Sequence, residues 1–216
     1  MSKTGARKGF TIIEVVLVLA IAGLIFLMVF IALPALQRGQ RNTQRKNDLS
    51  RILTAFDNYR ANNSNKHPFP PGQEDTWLTS MEQFTKRYID ENCGSFSKAP
   101  GDNTLFVPDS CGAQFSDPDG EPYRWDVRAD NWWNDSDGDG YTDIWIPVSE
   151  DTVGSACDGT WCVANSIKSG SITHYISVFD QAECTDREGA LRKTNKRNDI
   201  ALVYRLEGGA ITCVDN

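Results

Sequence analysis

Histidine is scarce in this 216-residue chain: only His67 and His174 occur, and neither stands in a metal-ligand or nucleophile motif. There is no Gly-x-Ser-x-Gly elbow and no glycine-rich loop that could cradle a phosphate. Hydrolytic and redox chemistry therefore lack their usual groups, and the chain reads as a non-enzyme. Paired Cys-x-x-Cys spacing is missing too, which argues against a zinc-ribbon type of site. Cations are short beyond residue 46, where fifteen Lys or Arg face twenty-eight Asp or Glu. Neutralising a phosphate backbone needs clustered Lys and Arg, so nucleic acid is not an expected partner of this part. No internal repeat or low-complexity segment is present, and the length suits one soluble domain beside a single apolar block.

What is present is unevenly placed. Six cysteines, Cys93, Cys111, Cys157, Cys162, Cys184 and Cys213, form an even set that lies wholly after the apolar block. An even set without metal spacing reads as disulfides, and disulfides persist in oxidising spaces outside the cytoplasm. Six cysteines allow fifteen pairings. Neighbour pairing, Cys93 with Cys111, Cys157 with Cys162 and Cys184 with Cys213, is the expectation.

The apolar block runs from Val15 to Leu36, 22 residues without a charge. A helix of that length crosses ~30 Å of hydrocarbon. A secretory signal has a shorter apolar region, and a core helix rarely goes so far without polar relief. Lys3, Arg7 and Lys8 precede the block while Arg38, Arg41, Arg45 and Lys46 follow it, so flanking charge hardly orients the span. The cysteines do, by placing the carboxyl-terminal part outside the cytoplasm.

One acid interrupts the apolar start: Glu14, five residues after Gly9. A carboxylate in a membrane helix costs roughly 2.5–3.5 kcal/mol at the bilayer centre and usually marks function. The run Lys8-Gly9-Phe10-Thr11-Ile12-Ile13-Glu14, with its short basic leader and unbroken apolar sequel, resembles the processing site of type IV prepilins. The resemblance is strong over residues 1 to about 60 and general beyond them. It implies cleavage between Gly9 and Phe10 by a prepilin peptidase, N-methylation of Phe10, and assembly of copies into a helical filament in which Glu14 pairs with the Phe10 amine of a neighbour. It also implies an assembly ATPase and a platform protein as partners, and passage from a cytoplasmic-membrane pool to an extracellular pilus. Gly23 and Pro34 both weaken helix. By the same resemblance, backbone between them would be non-helical in the filament, whereas an isolated subunit would only kink at Pro34.

Polar residues follow Leu36, and apolar ones return at Leu49, Ile52, Leu53, Phe56 and Tyr59, the spacing of one buried helix face. A helix from Phe10 to about Tyr59 would be roughly 75 Å long at 1.5 Å per residue. Asn62 to Asn65 end it, and His67-Pro68-Phe69-Pro70-Pro71-Gly72 forms an irregular connection with His67 as a loop residue. Leu78, Met81, Phe84 and Tyr88 predict a second helix, Thr79 and Glu82 standing at capping-box spacing near its start. Strands are predicted at Tyr123 to Val127, Ile144 to Val148, Ile172 to Phe179 and Ile200 to Leu206, with Gly208-Gly209 turning the chain into Ala210 to Val214. The fold class is α+β: a long helix on an antiparallel sheet, the arrangement of a pilin head. The organisation is a leader over 1–9, a transmembrane or filament-core helix over 10–36, its amphipathic continuation over 37–62, and a head over 63–216.

A candidate metal loop lies in the head. Asp135, Asp137, Asp139 and Asp143 occupy loop positions one, three, five and nine, Gly140 position six, and the Tyr141 carbonyl position seven. Such alternation wraps oxygens around calcium. It resembles EF-hand and thrombospondin-type calcium loops, except that position twelve is Ile146, so Glu150, Asp151 or Asp130 would have to supply the missing carboxylate. Asp117-Pro118-Asp119-Gly120 also offers acids, but its order predicts a turn before the next strand rather than a metal site. Trp125, Trp132, Trp133, Trp145 and Trp161 read as core packing before they read as a sugar-binding surface. A pilus subunit serving motility, attachment or DNA uptake is the first functional reading. A pseudopilin of a type II secretion system and a membrane-anchored, calcium-dependent adhesin are the alternatives.

Overall fold

The computed structural model describes residues 9–69, 73–98, 105–128, 174–185, 191–194, 196 and 198–216. The chain divides into two compact units, Met1–Gln40 and Arg41–Asn216. Helix α1, Ile12–Asn62, runs through both and stays helical from Gly23 to Pro34. Every Leu, Ile, Val, Met and Phe between Ile12 and Leu36 is exposed, Leu33 at 43 % being the least so. This is the one described helix long and apolar enough to cross a membrane.

In the second unit α1 buries Arg45, Leu49, Ile52 and Phe56, successive residues four, three and four apart, which form one stripe at helical period. Helix α2, Glu74–Tyr88, brings Trp77, Met81 and Phe84 to the same core. Thr79 is not a cap, because the helix already begins at Glu74 and its N-cap residue, Gln73, makes no side-chain capping bond. Glu82 serves other partners, accepting from Lys86 Nζ at 2.6 Å and from the Phe96 N–H at 3.1 Å.

The described strands are β1 Phe96–Lys98, β2 Leu105–Pro108, β3 Arg124–Arg128, β4 Tyr175–Asp180, β5 Ala182–Cys184, β6 Leu191–Lys193, β7 Ile200–Arg205 and β8 Ile211–Asp215. Six of them form a sheet in the order β1-β2-β3-β4-β7-β8, and β5 pairs with β6. The pairs are antiparallel except β3 with β4, which is parallel from Arg124 against Tyr175 to Arg128 against Phe179. A parallel pair cannot be joined by a hairpin, and the connection here lies, but for His174, outside the described residues. The expected strand over 144–148 also lies outside them.

Strand β7 is buried on both faces. Ile200, Leu202 and Tyr204 join the main core with Ile176 and Val178, while Ala201 and Val203 join a second cluster with Phe179, Ala182, Leu191 and Ile211. Alternate residues point to opposite faces, so a strand covered on both sides reads as a continuous apolar run. At the centre, Phe56 stacks on Phe84 at 4.3 Å and meets the Trp125 edge at 5.8 Å. Trp125 is fully buried, and its indole N–H donates to Thr85 Oγ1 at 2.9 Å, which satisfies its polar atom inside the core. Trp132, Trp133, Trp145 and Trp161 lie outside the described residues.

Two disulfides are described, Cys93 to Cys111 and Cys184 to Cys213, as neighbour pairing requires. Cys157 and Cys162 lie outside the described residues. His67 is in a loop as expected but is not solvated: its ring stacks on Phe69 at 5.4 Å and Nε2 lies 3.6 Å from Asp180 Oδ1.

Candidate functional site

Two places carry the chemistry. The first is the start of α1. Thr11 Oγ1 accepts from the Glu14 N–H at 3.4 Å, while Glu14 Oε2 accepts from the Thr11 N–H at 2.8 Å and from Thr11 Oγ1–H at 2.7 Å. This reciprocal pattern is a capping box, in which residues three apart satisfy each other's orphan donors at a helix start. Glu14 is thus held locally and remains exposed, beside a Phe10 side chain that is 88 % exposed. Gly9 has open space around it, with nothing within 4 Å of where a Cβ would stand.

The second is a charged cluster inside the Arg41–Asn216 unit. Residues 117–120 form the turn expected of Asp-Pro-Asp-Gly: the Gly120 N–H donates to the Asp117 carbonyl at 2.8 Å, and Gly120 has φ +99°. That turn delivers Asp117 to Arg45. The guanidinium donates through Nε to Oδ2 at 2.7 Å and through Nη2 to Oδ1 at 2.5 Å, with the two side chains 5 % and 0 % exposed. Tyr204 Oη–H donates to the same Oδ2 at 2.5 Å. Glu207, in the β7–β8 turn, accepts from Arg45 Nη1 at 2.9 Å and from Arg41 at 2.5 Å and 2.7 Å. Asn42 closes the set: its amide donates to the Glu207 carbonyl at 3.2 Å and its Oδ1 accepts the Glu207 N–H at 3.0 Å.

The electrostatics follow from this wiring. Burial would push the Asp117 carboxyl up, but the imidazole of His174, the guanidinium of Arg45 and the hydroxyl of Tyr204 hold it well below the usual carboxylate range. Arg41 draws Glu207 down to about 2, against some burial and with help from Arg45. Burial and the Asp117 charge push the Tyr204 hydroxyl far up, so it acts as a donor throughout the physiological range.

His174, immediately before β4, meets the same turn. Its Nδ1 lies 3.7 Å from Asp117 Oδ2 and its Nε2 3.5 Å from Asp119 Oδ2. Asp117, Asp119 and His174 can each offer one ligand atom within 4.8 Å of the others, so the group could bind a metal ion. From its sequence this segment predicts a turn rather than a metal site. The turn is there, but no local pattern joins residue 174 to residues 117 and 119; only the β3–β4 pairing does. Arg45 was legible in principle, since it continues the Leu49, Ile52, Phe56 stripe backwards by four residues, yet it reads first as one of several flanking cations.

The expected calcium loop, Asp135, Asp137, Asp139, Tyr141 and Asp143, lies outside the described residues. Compared with known proteins, the chain matches no family model, no curated protein and no solved structure.

Proposed function

We propose that this chain is a type IV pilin: a subunit cut between Gly9 and Phe10, anchored in the membrane by α1, and polymerised through residues 10–36 into an extracellular filament. The observation that carries the reading is a single acid, Glu14, at the start of an apolar run that is otherwise uncharged to Leu36 and that follows Lys8-Gly9-Phe10. Support comes from the exposed side chains of Ile12 to Leu36, an apolar surface that a soluble monomer would not keep in water. In a bilayer they face lipid. In a filament they face copies of themselves, and Glu14 gains the Phe10 amine of a neighbour, removing two uncompensated charges and fixing axial register. The disulfides of the head fit an oxidising space outside the cytoplasm. Calcium at Asp135 to Asp143 belongs to the same proposal, as a ligand of the head.

Mass spectrometry of the protein from its native cell tests the reading directly. A mature chain beginning at N-methylated Phe10 is the expected result; an intact Met1 to Gly9 would overturn it.

A further inference from the structure

The turn over Asp117 and Asp119 and the residue preceding β4 come together where the chain enters the one described parallel strand pair, the Arg124 N–H donating to the His174 carbonyl at 2.7 Å. The His174 side chain is nine-tenths buried, at 10 % exposure, and its Nδ1 is buried without a hydrogen-bond partner. Its nitrogens stand 3.7 Å and 3.5 Å from carboxylate oxygens of Asp117 and Asp119, beyond hydrogen-bond length. One ligand atom from each residue lies within 4.8 Å of the others, so a shift of the His174 ring and of the Asp119 side chain toward the fixed Asp117 would bring one imidazole nitrogen and one oxygen of each Asp to the spacing around a cation. We propose that Asp117, Asp119 and His174 bind a divalent transition metal of the zinc class, fastening the start of β4 to the turn before β3.

The donor set decides the class. Calcium and magnesium take oxygen ligands, whereas one imidazole with two carboxylates suits zinc and its first-row neighbours. Three protein ligands leave a position for water, and the site opens on a cleft of about 460 Å³ lined by Arg41, Arg45, Asp119, His174 and Tyr204 among others. Arg45 and Tyr204 hold Asp117 in place as outer partners of a ligating carboxylate do. The Arg45 charge also opposes a cation, so the fastening is weakly held and exchangeable. The proposal is independent of the pilin reading and of the 135–143 loop.

The untagged full-length chain in detergent, stripped with a chelator and titrated with Co²⁺ in place of Zn²⁺, provides the test. One equivalent should bind with a visible ligand-field band that Zn²⁺ displaces. Asp119→Asn keeps the turn geometry and leaves the Arg45–Asp117 contact intact, so it should fold and lose the band. His174→Ala should lose it as well, whereas Asp137→Asn with Asp139→Asn in the acidic loop should keep it. Failure to bind one equivalent, a band that survives both Asp119→Asn and His174→Ala, or a band lost only with the loop variant would each overturn the site.

Discussion

Arg45 carries its charge into a place where water scarcely reaches, and what makes this tolerable is the number of acceptors waiting there: both oxygens of Asp117 and one of Glu207. Breaking a buried pair by deleting one partner leaves the other charge stranded, a loss of ~3–5 kcal/mol. Arg45→Met keeps most of the stem's volume, so its cost should be electrostatic and fall in that range, as read from the urea midpoint at constant slope. Glu207 gives the pH dependence. Its carboxyl titrates near 2 in the folded chain against an ordinary 4.5, so the stabilisation it brings is complete above about 4.5 and disappears as pH falls through 2. Stability should decline over that acid range, and Glu207→Gln should flatten the decline while lowering stability at neutral pH. Acid titrations of melting temperature on both proteins check this; parallel curves would deny Glu207 the role.

At the scale of elements, the β7–β8 hairpin offers a clean case. Gly208 and Gly209 have φ of +95° and +93°, and nothing lies within 4 Å of a Cβ built on Gly208. An added methyl would therefore meet no neighbour, and the whole cost of Gly208→Ala is backbone strain, ~1–2 kcal/mol. A thermal shift of that size with unchanged circular dichroism is the expected outcome. This hairpin was plain in the sequence because two glycines stand between apolar runs, a signal local in the chain. The second half of helix α1 and β3 were legible from a period that repeats along the chain, and β7 and β8 from runs of apolar and β-branched residues, signals equally local. Strands β1, β2, β5 and β6 were not, since three or four residues such as Phe96-Ser97-Lys98 are too few to show a period and are held as strands by their neighbours. The parallel β3–β4 pair went unforeseen because pairing direction depends on the connection, not on either strand. The candidate metal group depends on that pairing, so it was hidden with it, whereas Gly9, Phe10 and Glu14 lie within six residues of one another and needed no fold to be seen.

The whole molecule turns on what Glu14 does, and the capping box sharpens that question. A glutamate at the third position of a helix can be explained without any neighbour, because it accepts the Thr11 N–H of its own first turn. Glu14→Val removes both that bond and the charge, so defective assembly by this variant would not distinguish a cap from an intersubunit pair. Glu14→Gln does distinguish them. Glutamine serves the capping box nearly as well as glutamate, with the same length and the same acceptor oxygen, but it brings no charge to a neighbour's amine. If Glu14 pairs with Phe10 of the next subunit, Glu14→Gln should insert, be cleaved and show normal helix content, yet yield at least tenfold less sheared filament, roughly the 1.4 kcal/mol that separates a tenfold change at each subunit contact. Wild-type filament yield from Glu14→Gln, with loss only in Glu14→Val, would make the residue a cap and remove the physical reason for polymerisation, leaving α1 as an anchor for a solitary head.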